Sequence, residues 1–488
     1  MSALATRRLH IRPAPILLVT AGASFVLYVV AFGLPYNLFA HVNQAPISLS
    51  EIAHREPLPA AAFLGAFLAL FGLYALAYHT CRRHPTHQLA PLVLLCGLAL
   101  ALPLVFTYPI GATDLVEYVN HGEELAFHGL NPLVVPVAEV PDATFVRHSA
   151  FRHATPNYGP VWIWISALVV SVLGRESLAL NLLGFKVVAL TAYTVQAVAI
   201  YAVLRRRAPS FALPGLVFFA WNPLILYETA ASGHNDATMM ALALVGILLW
   251  ERDRPLLMTA ALTFSFLIKI PTALLLPLFL LSAGRRRQEN GEGLMTVIPG
   301  GLVALALVAV SYLSLPSPLA ALTNLADRSH LFTHSLPAIF QLTLRALGTG
   351  TDRAQAITRA LSIAALGIWY VGQTWKTWKA PAEVLRPAYH VLLFLLLFVT
   401  PWFQPWYVTW LVALAALRPT PQAPAQAGLF SLTVIGSYVV YGFAWFWFPR
   451  LGNWSNSLGI NLAAVATTYL IPWAYTAWIW MRARTDRG

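Results

Sequence analysis

The sequence predicts an all-α polytopic integral membrane protein: a bundle of about 12–14 transmembrane or re-entrant helices with one large external loop. Hydrophobic residues make up 58% of the chain and charged residues 10%, and the mean hydropathy is +0.66. Too little polar surface is available to cover a soluble globule. The apolar runs are long, continuous and rich in Leu, Ala and Val, where a barrel would alternate every second residue. Helices are then the way to satisfy the backbone in lipid. Short basic clusters punctuate these runs, and a set of cytoplasmic Arg-bearing loops accounts for the net charge of +12 without invoking nucleic acid. Two cysteines, Cys81 and Cys96, offer neither a disulfide framework nor a thiolate metal site.

The elements follow from apolar length and basic flanks. Arg7, Arg8 and Arg12 precede an apolar run longer than a typical signal-peptide core, without a clear small-residue cleavage site, and this reads as an uncleaved first span over about 15–35. A second span, about 59–80, returns to Cys81-Arg82-Arg83-His84, and a third, about 89–107, leads out again. The stretch 108–160 is therefore an external loop. The run 161–173 is too short to cross, and as a re-entrant or tilted helix it lets the span 178–204 end inside at Arg205-Arg206-Arg207. The next pair rises from about 209 to Ser232-Gly233-His234-Asn235-Asp236 and descends to Glu251-Arg252-Asp253-Arg254.

Two basic clusters, ending at Arg254 and beginning at Arg285, flank a segment interrupted by Lys269-Ile270-Pro271, which reads as a hairpin turning at the proline. Lys269 then stands about 24 Å from either cluster, and Lys186 about 28 Å from Arg205, at 1.5 Å per residue. Spans at about 294–315, 355–373, 387–400 and 407–417 follow, with an external aromatic loop 401–407 and a final rise and fall to Arg482 and Arg484. The 488 residues read as a single integral-membrane domain in a plasma membrane, with no internal repeat.

The loop 108–160 carries the candidate chemistry. Asp114 lies at the membrane edge, where a carboxylate reaches a lipid-borne hydroxyl as a general base, or else it is the N-cap of the helical-looking stretch 115–125. Glu117 is one turn on, placed to orient Asp114, to share a cation with it, or to sit in solvent. His234-Asn235-Asp236 interrupts an apolar run from Leu216 to Trp250, and ionisable groups there are functional by default, although a polar turn is the bland alternative. One His and one Asp fall short of a metal set. Lys186, Lys269 and the external Arg147, Arg152, Arg328, His330 and His334 are either partners of an anionic group or lipid-headgroup contacts. Trp402, Phe403, Trp406 and Tyr407, with Gln404 among them, form an interfacial belt, a sugar-stacking wall or a groove for a lipid tail.

In order, Asp114-Leu115-Val116-Glu117-Tyr118, Asn131-Pro132, Tyr158-Gly159-Pro160, Trp221-Asn222-Pro223-Leu224, Gly233-His234-Asn235-Asp236-Ala237, Lys269-Ile270-Pro271 and Pro405-Trp406-Tyr407 resemble the GT-C superfamily of membrane glycosyltransferases. The nearest likeness is to bacterial polyprenyl-phosphate-mannose-dependent mannosyltransferases that build lipomannan-like glycans. The resemblance implies Asp114 as catalytic base, the segment around His234 and Asp236 lining the same cavity, and lipid-linked donor binding near Lys269. From their positions in the chain, Glu117, Tyr118, His121, Tyr158, Asn235, Gln404, Trp406 and Tyr407 are assigned with them to the acceptor cavity, and Lys186, Arg152, Arg328 and His330 to the donor phosphate. The resemblance also implies a polyprenyl-phosphate sugar donor, a glycan or glycolipid acceptor, and a site on the external face of a bacterial cell membrane. Many superfamily members carry two adjacent acids in the first loop, often linked with a metal. Here Leu115 follows Asp114, so no cofactor is assigned and a divalent cation is left open. A flippase of lipid-linked sugars, or a polymerase or ligase using polyprenyl-pyrophosphate donors, shares many of these features.

Overall fold

A computed structural model describes residues 13–320, 331–452 and 457–485, and among them the only β-pairing is two isolated bridges, Asn37 with Thr107 and Thr333 with Trp402. Among the described residues, eight helices are long and apolar enough to cross a membrane: Pro13–Gly33, Pro57–Arg83, His87–Val105, Leu178–Arg207, Gly293–Leu313, Thr351–Lys379, Gln422–Trp447 and Leu458–Ile479. A bent pair, Pro209–Ala220 and Pro223–Ala231, makes a ninth with a 50° break. Shorter apolar helices cover Pro160–Leu173, Pro255–Ile268, Leu385–Val399 and Pro405–Ala416. The protein is an all-α, polytopic membrane bundle.

The breaks in this bundle have local causes. At the bend, Asn222 Oδ1 accepts from the amides of Leu224 (3.0 Å) and Ile225 (3.3 Å), and Pro223 occupies the first helical position. The helix that restarts widens into a π turn over Tyr227–Ala231, and Gly233 then takes a left-handed φ of 63° that ends the climb. Near the other break, Pro255–Ile268 stops at Lys269, and a 3₁₀ segment, Ile270–Leu274, turns the chain into Leu275–Arg287. This is the hairpin expected at Pro271.

Basic clusters from separate turns meet at one end of the bundle. Arg207 pairs with Glu251 at 2.8 Å and donates to the Ala382 carbonyl at 2.7 Å, while Arg287 pairs with Asp253 at 2.7 Å. The 16-residue helix Asp236–Glu251 runs from Asp236 to that end, a rise of about 24 Å. His234 to Asp236 and the basic clusters therefore occupy opposite ends of the same helices.

The large loop is locked onto the bundle where two sequence motifs touch. Gly159 donates its amide to the Ile268 carbonyl at 2.9 Å, and a Cβ at position 159 would stand 2.0 Å from the Leu267 carbonyl oxygen. Only glycine allows Tyr158-Gly159-Pro160 to lie against Leu267-Ile268-Lys269. Gly159→Ala is expected to destabilise the protein by about 1–3 kcal/mol, because the neighbour is backbone with no rotamer to yield. Thermal unfolding of the detergent-solubilised protein checks this, with Gly301→Ala, where a Cβ meets nothing, as the neutral control.

Candidate active site

The loop begins with a 15-residue helix, Asp114–His128, capped by Thr113 in a non-helical conformation. Asp114 is thus the first helical residue and not the cap, and its negative charge suits a helix N-terminus. The other acids of this helix hold the loop down. Glu117 accepts from Ser149 Oγ (2.7 Å) and from the amides of Ala150 (2.9 Å) and Phe151 (3.2 Å). Glu123 accepts from the amide (2.9 Å) and hydroxyl (2.6 Å) of Thr144. Glu124 is buried, and its neighbours Glu117 and Glu123, after burial itself, push its carboxyl up to about 9. Asp114 keeps 16% of its side chain exposed.

Asp114 meets the broken span. Its Oδ2 lies 3.2 Å from Nδ1 of His234, whose Nε2 lies 3.4 Å from Oε2 of Glu228. The imidazole stacks on Trp406, with ring centroids 4.0 Å apart at 20°. Two residues on, Asp236 pairs with Lys269 Nζ at 2.8 Å and accepts from Trp410 Nε1 at 2.7 Å. Lys269 also lies over the Tyr407 ring at 4.9 Å, and Tyr407 stacks on Trp410. The Asn235 amide donates to Tyr118 OH at 3.3 Å, and Tyr118 makes edge contacts with Tyr158 and Trp162. Four stretches distant in sequence thus converge around a buried turn, 234–236.

Charge pairing decides the protonation states here. Burial pushes the Asp114 carboxyl up, but His234, Lys269 and the Tyr158 hydroxyl outweigh it, and the carboxyl sits below the usual carboxylate range. Burial likewise pushes His234 down, yet the flanking Asp114 and Glu228 carboxylates raise it to about 9. Asp114 is therefore ionised and His234 an imidazolium at neutral pH. Such a carboxylate is competent to accept a proton from a bound hydroxyl. Several buried polar atoms near it make no hydrogen bond within the protein, among them both amide atoms of Asn235, Ser232 Oγ and Trp406 Nε1. Buried polar groups in that state are what a polar ligand would satisfy. A small cavity behind His234 is bordered by Gln196, Glu228, Thr229, Asp236 and Thr409. Among the described residues, no three His, Cys, Asp or Glu side chains group as a metal site.

Residues 19–285 match the family model described as "Alpha-(1->6)-mannopyranosyltransferase, N-terminal domain", a segment that includes Asp114, Glu228, His234, Asp236 and Lys269. The chain belongs to this alpha-(1->6)-mannopyranosyltransferase family. It is 25% identical over 180 residues to alpha-(1->6)-mannopyranosyltransferase A of Corynebacterium glutamicum, a match covering 37% of this chain and 36% of that relative. It is 28% identical over 152 residues to an alpha-(1->6)-mannopyranosyltransferase of Mycobacterium tuberculosis, covering 30% of this chain and 25% of the relative. The aligned segments thus span about a third or less of those relatives' own length.

Within this family member, several residues expected at the site lie elsewhere. Lys186 is fully buried and donates to the carbonyls of Leu104 (3.3 Å), Val105 (3.0 Å) and Thr107. Its Nζ closes the C-terminal end of the Ala90–Val105 helix, and those carbonyls take up its donors, so none is left for a phosphate. Glu117 is spent on residues 149–151. Arg152 is exposed on the loop, 3.2 Å from His153, and makes no contact with the cluster. His121 is buried against the Tyr158 ring at 6.4 Å, one layer behind Asp114. Gln404 is half-buried and reaches none of these groups. His334 belongs to a separate network with Thr468 and Asn461. Arg328 and His330 lie outside the described residues. The aromatic loop divides: Trp406 and Tyr407 join the site, whereas Phe403 packs with His334, Phe430 and Tyr469.

Glu228 was not singled out from the sequence, although it is an ionisable residue inside the same apolar run as His234 and met the same criterion. Tyr438, whose hydroxyl donates to Glu228 Oε1 at 2.5 Å, had no sequence signal at all.

Two outcomes follow from the ion pairs. The folded state holds a proton on His234 that the unfolded chain releases near 6.5, so its stabilising contribution is complete below that pH and is lost as pH rises through about 9. Melting temperatures measured from pH 6 to pH 10 should fall over this window, and His234→Gln should flatten the fall. Asp236→Asn leaves the Lys269 ammonium buried without its counter-charge and is expected to cost about 3–5 kcal/mol in the same assay.

Proposed function

We propose that this protein transfers a mannosyl group from a polyprenyl-phosphate donor to a hydroxyl of a glycan or glycolipid acceptor at the external face of the membrane, inverting the anomeric carbon. The observation that carries the reading is the 3.2 Å approach of Asp114, from the loop, to His234, from the broken span. It gives a partly exposed carboxylate, kept ionised by an imidazolium behind it, at the edge of a membrane bundle. Asp114 takes the proton of the acceptor hydroxyl, the hydroxyl oxygen bonds to the anomeric carbon, and the bond from that carbon to the phosphate oxygen breaks with its electrons leaving on phosphate. A single displacement of this kind inverts the carbon.

Lys269 supports the donor side of the reading. One of its N–H groups is on Asp236, its side chain keeps 11% exposure, and Ile270 beside it is 71% exposed, as a site open to lipid requires. The basic clusters at the opposite end of the Asp236–Glu251 helix support the external side, because short loops rich in Arg and Lys favour the cytoplasm. The family match and the mannopyranosyltransferases among the relatives support mannose as the sugar.

Purified protein given radiolabelled polyprenyl-phosphate mannose and an α-mannoside acceptor should release polyprenyl phosphate and label the acceptor. Asp114→Asn should lower kcat by about 10²–10⁴-fold while the donor KM stays close to its original value. Undiminished release from Asp114→Asn overturns the role of Asp114. Donor that crosses a liposome membrane intact, without cleavage, identifies a transporter instead.

A further inference from the structure

At the end of the bundle opposite Asp114, three cations stand together without a counter-charge. We propose that Lys376, Arg386 and Arg418 form a binding site for the phosphodiester headgroup of an anionic phospholipid.

The three meet around the helix Leu385–Phe394. Arg386 lies in its first turn, and Tyr389 and His390, three and four residues on, share its face. The Arg418 guanidinium stands over the Tyr389 ring at 5.1 Å. Lys376 Nζ stands over the Trp369 ring at 5.7 Å, and Trp369 Nε1 donates to the His390 carbonyl at 3.1 Å. The His390 ring is within electrostatic reach of all three cations. The turn that precedes the helix, Pro381–Glu383, takes a hydrogen bond from Arg207 on the Ala382 carbonyl at 2.7 Å. The cluster therefore belongs to the basic end of the bundle.

What it lacks is an anion. Among the described residues, ion pairs take up Arg175, Arg207, Lys269 and Arg287, and none includes Lys376, Arg386 or Arg418. Glu383 is exposed and interacts with Arg418 only at longer range. Nη1 of Arg418 is buried and has no hydrogen-bond partner in the protein, a costly state for a charged donor. A phosphodiester carries one negative charge on two oxygens, which suits the paired N–H groups of a guanidinium.

The surroundings favour a headgroup over a free anion. Lys376 is carried by Thr351–Lys379, whose apolar window is only 11% buried, with Ile368 78% and Val371 68% exposed. Acyl chains thus lie beside the cations. Trp375 and Trp378, both exposed, sit at the same end with Lys379 4.8 Å over the first ring and Arg285 4.0 Å over the second, as aromatic and basic groups do at headgroup level. A phospholipid answers the charge with its head and covers the helix sides with its tails, and basic pockets between helix ends hold such heads.

Full-length protein, delipidated in mild detergent, is titrated with phosphatidylglycerol or phosphatidylcholine, and bound lipid is counted by native mass spectrometry. The wild type should prefer phosphatidylglycerol by about tenfold or more, and the double variant Lys376→Gln, Arg386→Gln should lose that preference. Both side chains are exposed, so the variant should melt with the wild type in phosphatidylcholine; if it melts earlier, Arg386→Gln alone carries the same comparison. Arg205→Gln with Arg206→Gln, exposed cations of another turn, should keep the preference. Equal binding of the two lipids by the wild type overturns the site, as does a preference that survives in the variant. A preference lost equally in the Arg205 and Arg206 variant also overturns it, because that reports only the general attraction of a basic face. Inorganic phosphate that raises the wild-type melting temperature as far as phosphatidylglycerol does overturns the lipid in favour of a free anion.

Discussion

A charge removed from water must meet an opposite charge, and the turn from His234 to Asp236 carries one of each sign at almost complete burial. His234 is answered by Asp114 and Glu228, and Asp236 by Lys269 with help from Trp410. Each partner comes from a different stretch of chain. The external-loop helix, the π turn of the broken span, the Lys269 hairpin and the aromatic segment after Pro405 are thereby brought to one place. Removing the Lys269 hairpin leaves Asp236 buried without its counter-charge, and removing both Asp114 and Glu228 does the same to His234, so the site and the bundle are coupled through these pairs.

Such a turn is tolerated at membrane depth only where protein, and not lipid, surrounds it. Residues 221–237 are all buried. The backbone groups freed at Trp221-Asn222 are taken up by the Asn222 side chain, and the extra residue of the π turn points Glu228 at the imidazole. By contrast, only 11% of the apolar windows of Gly293–Leu313 and Thr351–Lys379 is buried within the protein, so these helices present their sides to lipid and add little to the site. Polar irregularity and lipid exposure are thus assigned to different helices.

The segment matched by the family model ends at residue 285, yet the site is closed by residues beyond it. Trp406 covers His234, Tyr407 and Trp410 cover Lys269 and Asp236, and Tyr438 holds Glu228. The first part of the chain therefore brings the ionisable groups, and the later helices supply the aromatic walls that keep water from them. The large loop adds the acid. Its position depends on Glu117 and Glu123, which hold residues 144–151, and on the close contact at Gly159.

Composition and apolar run length by themselves determined the membrane class and the helical architecture, because backbone satisfaction in lipid leaves few alternatives for so greasy a chain. The polar interruption at 233–236 and the proline after Lys269 were readable for the same reason: each breaks a pattern that lipid enforces. What each ionisable side chain touches was not readable, since the partners lie far apart in sequence. Lys186 looked like Lys269 by distance from its basic cluster, and only the packing of its helix against Leu104 to Thr107 showed that backbone carbonyls claim it. Glu117, one turn from Asp114, was drawn away to the loop it anchors, and Glu228 was turned toward His234 by a π bulge that no local residue pattern announces. Tertiary structure decided those pairings, because a buried charge is placed by whichever opposite charge or dipole the fold brings within about 3 Å of it.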